Sequence, residues 1–226
     1  MKQYTDITIL LDRSGSMQSI KGAMEEAFDS FIKTHRKVKS TKISLIEFNS
    51  ANPQRIVYQA VPVGSVEKLR LRPDGGTPLL DATCVAIDNL GSRLAEMDEK
   101  DRPDQVLFVI ITDGQENDSK RFKRQDVFNR ITKQRSDYKW QFVYLGANQD
   151  TFAEAASFGI PQNWALNYLH TYGGASAASN ALAEQTLSYT SNSSNMRSKA
   201  MPEFTKSQRQ NANNGTPTTK DIIETT

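Results

Sequence analysis

Thr5-Asp6-Ile7-Thr8-Ile9-Leu10-Leu11-Asp12-Arg13-Ser14-Gly15-Ser16-Met17 joins eight residues suited to a buried strand to a short run of small polar ones. Ile7, Ile9 and Leu11 face one side while Thr8 and Leu10 face the other, as in a central strand covered on both faces. The strand ends on an acid. Beyond the Ser-Gly-Ser turn, Ile20, Met24, Ala27, Phe28 and Phe31 recur at steps of three and four, the stripe of an amphipathic helix. Lys33 to Lys39 gather positive charge at its end, complementing the helix dipole.

The same alternation continues to about residue 190 and predicts an α/β domain, a doubly wound, mainly parallel sheet with helices on both faces. Lys42–Asn49 and Arg55–Val61 read as strands. The turn between them, Ser50-Ala51-Asn52-Pro53, is too short for a crossover helix, so they form an antiparallel hairpin. Gly75-Gly76-Thr77-Pro78 opens a helix to about Met97, with Leu80, Cys84, Ile87, Gly91 and Leu94 on one face. Gln105–Thr112 is a continuous apolar strand, followed by a basic helix over about Lys120–Arg135 and a strand over Trp140–Leu145. Asp150 caps a further helix that ends before Gly159 in the left-handed position. Trp164–Leu169 is the last strand, and Ala175, Ala178, Leu182 and Tyr189 mark a closing helix. From Ser191 onward Ser, Asn, Thr, Lys and Gln dominate, so residues 1–190 are expected to be the domain and 191–226 a polar, mostly disordered tail.

Composition narrows function without naming it. The 226 residues are 37% hydrophobic and 24% charged, ordinary for a globular protein. A net charge of +2 gives no reason to expect nucleic acid or an anionic membrane as partner. The longest apolar run, Val106–Ile111, is far below the roughly 20 residues of a spanning helix. Residues 1–11 lack the apolar length of a signal peptide, which places the expected location in the cytoplasm. The single cysteine, Cys84, can form neither an internal disulfide nor a thiolate zinc site, and reads as core. Lys120, Arg121, Lys123, Arg124, Arg130, Lys133 and Arg135 read as a solvated face, since Phe122 and Phe128 do not make a base-stacking platform.

Three motifs fall where parallel strands end, the edge at which such sheets hold ligands. They are Asp12-Arg13-Ser14-Gly15-Ser16-Met17, Gly75-Gly76-Thr77-Pro78 and Thr112-Asp113-Gly114. Their two carboxylates and three hydroxyls are hard oxygen donors, suited to Mg²⁺ or Mn²⁺. Zinc or copper would want His or Cys, and His35 and His170 lie outside these motifs. Two carboxylates about 4 Å apart repel by roughly 4 kcal/mol at an effective dielectric of 20, and a divalent ion between them reverses the sign. Each motif also has an ordinary reading: Ser14, Ser16 and Thr77 can cap helices, and Asp113-Gly114 is a common turn. Asp81 either steadies the metal loop or is an exposed first-turn acid, and Glu116 and Asp118 read as solvated charges.

Asp-x-Ser-x-Ser, a separate Thr and a separate Asp-Gly resemble the metal-ion-dependent adhesion site of von Willebrand factor type A domains. Leu11–Met17, Gly75–Ala82 and Ile111–Gly114 are similar to intracellular bacterial and phage-borne members. The resemblance covers about residues 1–190. It implies a six-stranded sheet with one antiparallel edge strand, Rossmann-like in its layering, and a cation held by Ser14 and Ser16, with Asp12 and Asp113 acting through water and Thr77 directly or through water. It also implies a protein-binding module and not an enzyme, with a partner's Asp or Glu completing the coordination. A Mg²⁺-dependent hydrolase or phosphotransferase is the alternative, disfavoured because no phosphate loop is present and Ser14 stands where aspartyl-phosphate chemistry wants a second acid. A purely structural metal is the third reading.

Overall fold

A computed structural model describes residues 4–38, 40–147, 150–190 and 200–216. Six strands, β1 (Thr5–Asp12), β2 (Thr41–Phe48), β3 (Arg55–Pro62), β4 (Gln105–Thr112), β5 (Gln141–Ala147) and β6 (Ala165–Tyr168), form one sheet in the order β3-β2-β1-β4-β5-β6. Every neighbouring pair is parallel except β2 with β3, the antiparallel edge hairpin. Among the described residues six α-helices accompany them: α1 (Lys21–His35), α2 (Leu79–Ala95), α3 (Arg124–Tyr138), α4 (Thr151–Ser157), α5 (Tyr172–Thr190) and α6 (Lys206–Asn214). This is the doubly wound three-layer arrangement that the alternation predicts.

The period of two along each central strand divides the core between two layers. Ile7, Ile9 and Leu11 of β1 join Leu107, Val109 and Ile111 of β4 against Met24, Phe28 and Phe31 of α1 and Leu182 of α5. Leu10, Phe108, Ile110 and Tyr144 face the other way, onto Leu80, Cys84 and Ile87 of α2 and Val127 and Ile131 of α3. All eight residues of β1 and of β4 are buried, so these strands carry no polar alternation. From β1 the chain builds β2 and β3 on one side and then β4, β5 and β6 on the other. That reversal lies between β1 and β4, the place beyond whose carboxyl ends doubly wound sheets hold ligands.

The expected end of the domain at residue 190 is not what the fold adopts. Residues 200–216 pack on the α1/α5 side of the sheet, where Met201, Phe204 and Ala212 are buried in the same core as β1. Thr205 caps α6, accepting from the Gln208 backbone N–H while the Gln208 side chain accepts from the Thr205 N–H. The Arg209 guanidinium donates to the carbonyls of Ala165 (2.7 Å), Gln162 (3.0 Å) and Asn163 (3.0 Å). Only three apolar side chains anchor this segment and the rest of its attachment is polar, so composition alone hides it. Residues 191–199 and 217–226 of the expected tail lie outside the described residues.

His35 joins α1 to α5 inside the core. The Phe31 carbonyl, 2.8 Å away, can only accept, so Nδ1 carries the proton and Nε2 is left to face the Thr186 hydroxyl at 2.8 Å. Burial pushes the imidazole down to about 4. The folded chain keeps His35 neutral to about that pH, whereas an unfolded one takes up a proton near 6.5. Its contribution to stability is therefore complete above about pH 6.5 and declines as the pH falls toward 4, by on the order of 3 kcal/mol. Buried acids titrate in the same window with the opposite sign, so the measure is a difference. Urea midpoints at pH 7 and pH 4.5 will fall more for the wild type than for His35→Gln. Removing residues 200–226 will cost at least about 3 kcal/mol in the same assay, since burial of Met201 and Phe204 alone is worth that much; a disordered tail would cost nothing.

Candidate metal centre

β1 and β4 are adjacent and in register, Leu11 opposite Ile111, so Asp12 and the Thr112-Asp113-Gly114 turn emerge side by side. Asp12 is fully buried. Its Oδ1 accepts from the Ser14 N–H (2.7 Å) and its Oδ2 from the Thr112 hydroxyl (2.6 Å), which in turn accepts from the Gly114 N–H (3.2 Å). Desolvation still outweighs these bonds, with the neighbouring Asp113 charge adding to it, and the Asp12 carboxyl is pushed up to about 6. A positive charge beside it would relieve that cost.

The hydroxyls follow in a chain. Ser16 donates to Asp113 Oδ1 at 2.7 Å, so in the Ser14–Ser16 contact of 3.0 Å it is Ser14 that donates. Thr77 arrives from the loop before α2. A methyl group added at Gly114 would stand 3.1 Å from Thr77 Oγ1, 3.6 Å from Ser16 Oγ and 3.9 Å from Asp12 Oδ2, which places oxygens of the first and second loops around one small space beside the third. All five side chains singled out in the sequence, Asp12, Ser14, Ser16, Thr77 and Asp113, therefore lie together at the sheet edge. Ser16 is exposed while the other four are buried, so the cluster opens to solvent on one side.

Backbone partners hold the loops. The Gly15 N–H donates to the Gly75 carbonyl at 2.9 Å. Gly75 has φ +72°, and a Cβ there would also collide with the Ser50 hydroxyl, so the position demands glycine. The Gly76 N–H donates to Ser50 Oγ at 2.9 Å. Arg13 reaches the Arg72 carbonyl (2.8 Å) and Asn49 Oδ1 (3.0 Å), tying the first loop to the second. Asn117 Oδ1 accepts from the Thr77 N–H at 2.9 Å, and the Asn117 N–H donates back to the Thr77 carbonyl at 3.2 Å.

Asp81 is a first-turn acid of α2, but a buried one, and it steadies a loop of the site. Its carboxylate accepts from the backbone N–H groups of Lys120, Arg121 and Phe122 at 2.9 to 3.2 Å, locking the loop after Asp113 onto α2. Glu116 departs from its reading as a solvated charge, accepting from the N–H groups of Leu80 (2.9 Å), Asp118 (3.0 Å) and Ser119 (2.7 Å). These bonds hold residues 116–123 as a loop, which is why α3 begins at Arg124 and not near Lys120. On α3 itself Arg130 pairs with Asp88 at 2.9 Å, and Arg135 donates to the Gly159 carbonyl at 2.7 Å.

One site residue was not visible in the motifs. His170, placed outside them by sequence, brings Nε2 to 2.8 Å from Asp113 Oδ2 and 3.5 Å from Ser19 Oγ. The imidazole is off the line of a hydrogen bond, and Asp113 Oδ2 is buried without an aligned donor. Ser19, His170 and Asp113 do not form a nucleophile, base and orienting acid, because the same ring nitrogen faces both neighbours. Only its position at the end of the last parallel strand could have drawn attention to it.

The donor set is consistent with a hard cation. Among the described residues no three His, Cys, Asp or Glu side chains form a metal-binding group, so any ion here relies on hydroxyls as well as carboxylates. The orphaned Asp113 Oδ2 and the raised Asp12 carboxyl are the features that a positive charge would satisfy.

No curated protein is similar to this chain at the level of sequence. Solved structures share its fold. A von Willebrand factor type A protein from Catenulispora acidiphila superposes with a TM-score of 0.58 at 15% identity, covering 82% of this chain and 43% of that one. The pilus adhesin SpaC of Lactobacillus rhamnosus GG gives 0.60 at 14%, covering 80% and 30%. Manganese-loaded TRAP protein of Plasmodium vivax gives 0.50 at 16%, covering 78% and 72%. The chain spans less than half the length of the first two. The family profile of the von Willebrand factor type A domain matches residues 6–165, from β1 to the start of β6. The chain belongs to the von Willebrand factor type A domain family.

Proposed function

We propose that the protein is a metal-dependent protein-binding module of the cytoplasm, with Asp12, Ser14, Ser16, Thr77 and Asp113 forming a metal-ion-dependent adhesion site for Mg²⁺ or Mn²⁺. The observation that carries this reading is the convergence of three hydroxyls and two carboxylates, from three separate loops, at the sheet's point of reversal. The phrases Leu11–Met17 and Gly75–Ala82 suggest the intracellular bacterial or phage-borne branch. The one cysteine, Cys84, is a buried free thiol, which is compatible with a reducing compartment. Among the described residues no helix is long and apolar enough to cross a membrane.

Each residue has a definable task. Ser14, Ser16 and Thr77 present neutral oxygens, while Asp12 and Asp113 supply charge from beneath and orient the serines by accepting hydrogen bonds. A bound divalent ion supplies a positive charge that weakly donating hydroxyls leave largely unneutralised. The open side at Ser16 admits an anionic side chain, so a partner's Asp or Glu is the complementary group. Glu116, Asn117 and Asp81 keep the loops in place by accepting from their backbone N–H groups. A manganese-loaded relative and a pilus adhesin with this fold support a cation-mediated contact as the use of the site.

An ion at 100 times its dissociation constant adds about 2.7 kcal/mol, or roughly 5 to 10 °C in Tm for a chain of this size. Melting with Mg²⁺ or Mn²⁺ against EDTA will show that rise, and Asp113→Ala will abolish it. Capture of a partner on the immobilised protein will be lost in EDTA and with Thr77→Ala; binding unchanged in both would refute the mechanism. Gly114→Ala crowds the Thr77 hydroxyl at 3.1 Å and will weaken Mn²⁺ about tenfold or more, a loss of about 1.4 kcal/mol, without altering helix content by circular dichroism.

A further inference from the structure

We propose that His170 gives the cation a nitrogen donor, making this a mixed nitrogen and oxygen site that favours Mn²⁺, Co²⁺ and Ni²⁺ over Mg²⁺. The inference rests on the metal-site reading above and concerns which ion the site selects.

His170 is not a chance neighbour. It lies in the turn between β6 and α5, where the Thr171 N–H donates to the Leu169 carbonyl at 2.7 Å and the Leu169 N–H donates to the Ala212 carbonyl of α6 at 2.9 Å. Side chains at Gly173 and Gly174 would collide with the backbones of Gly215 and Leu169, so the turn is closely packed between α6 and the sheet. Its side chain is 19% exposed, and the Asp113 side chain beside it is fully buried. The imidazole is thus held at the rim by the fold, as a ligand must be if it is to bind without a large ordering cost.

The spacing carries the assignment. Nε2 of His170 and Oδ2 of Asp113 are 2.8 Å apart with no proton aligned between them. Bonds of about 2.0 to 2.1 Å at right angles put neighbouring ligands of one octahedral ion about 3 Å apart. The Ser14 and Ser16 hydroxyls, 3.0 Å apart and hydrogen-bonded to one another, reach the other oxygen of the same carboxylate, Asp113 Oδ1, through Ser16. A nitrogen and an oxygen at that distance, one orphaned and buried, form an edge that a shared cation completes. Imidazole nitrogen is a good donor to first-row transition ions and a poor one to Mg²⁺, and affinity for such sites rises from Mn²⁺ through Co²⁺ to Ni²⁺.

Electron-nuclear spectroscopy of the full chain loaded with Mn²⁺ alone tests this directly. Wild type will show the ¹⁴N coupling of a bound imidazole, and His170→Gln and His170→Ala will both lack it while still binding Mn²⁺. Titration calorimetry will show the preference for Ni²⁺ over Mg²⁺ falling at least tenfold in both variants. Bound Mn²⁺ without ¹⁴N coupling in the wild type, or a uniform weakening of all ions in the variants, would overturn the assignment and leave His170 as a positioning partner of Asp113. Failure of wild type to bind any of these ions would instead overturn the metal-site reading itself, and this inference with it.

Discussion

Two carboxylates, Asp12 and Asp113, are buried next to one another at the ends of the two central strands, and their desolvation governs the architecture around them. Both oxygens of Asp12 and one of Asp113 accept hydrogen bonds, Asp12 from Ser14 in its own loop and from Thr112 at the end of β4, Asp113 from Ser16 across in the first loop. The fourth oxygen faces an imidazole without a proton aligned between them. Burying like charges is unfavourable unless they are heavily solvated by protein dipoles, so the loops must bring N–H and O–H groups inward. Small residues do this: Ser14, Gly15, Ser16, Gly75 and Gly76 let backbone approach backbone.

Bending loops inward leaves backbone groups that need partners elsewhere. Asn49, Ser50, Glu116, Asn117 and Asp81 supply them, each spanning from one loop to another or to α2. The rim is therefore cross-linked by polar side chains and not by apolar packing, which suits an edge that must remain open to water. Asp81 shows the logic well: one carboxylate gathers three successive N–H groups and fixes the course of the chain from β4 toward α3.

Much of this was legible in the sequence for a physical reason. β1 and β4 are continuous apolar runs and α1 and α2 carry clear stripes, because strands and helices bury themselves through local periodicity. The five oxygen donors were legible because each sits in a short motif at a strand end. What escaped notice has no local signature. Glu116, Asn117 and His170 act on residues dozens of positions away, and an isolated polar side chain looks the same whether it is solvated or bound. The segment 200–216 escaped for a related reason: Met201, Phe204 and Ala212 are too widely spaced to raise the apolar content of a window dominated by Asn, Gln and Ser.

The return of the chain along β6 also affects how copies of the protein meet. Any sheet has two flanks able to recruit further strands, a common route to uncontrolled association. Here α6 lies along one flank, where Arg209 takes up the Ala165 carbonyl and Phe204 that of Asn163. The other flank, β3, ends in Pro62, and Ala60 at φ +50° interrupts its pairing and gives its N–H to the Ser44 hydroxyl. With one margin covered and the other irregular, joining of sheets edge to edge is discouraged.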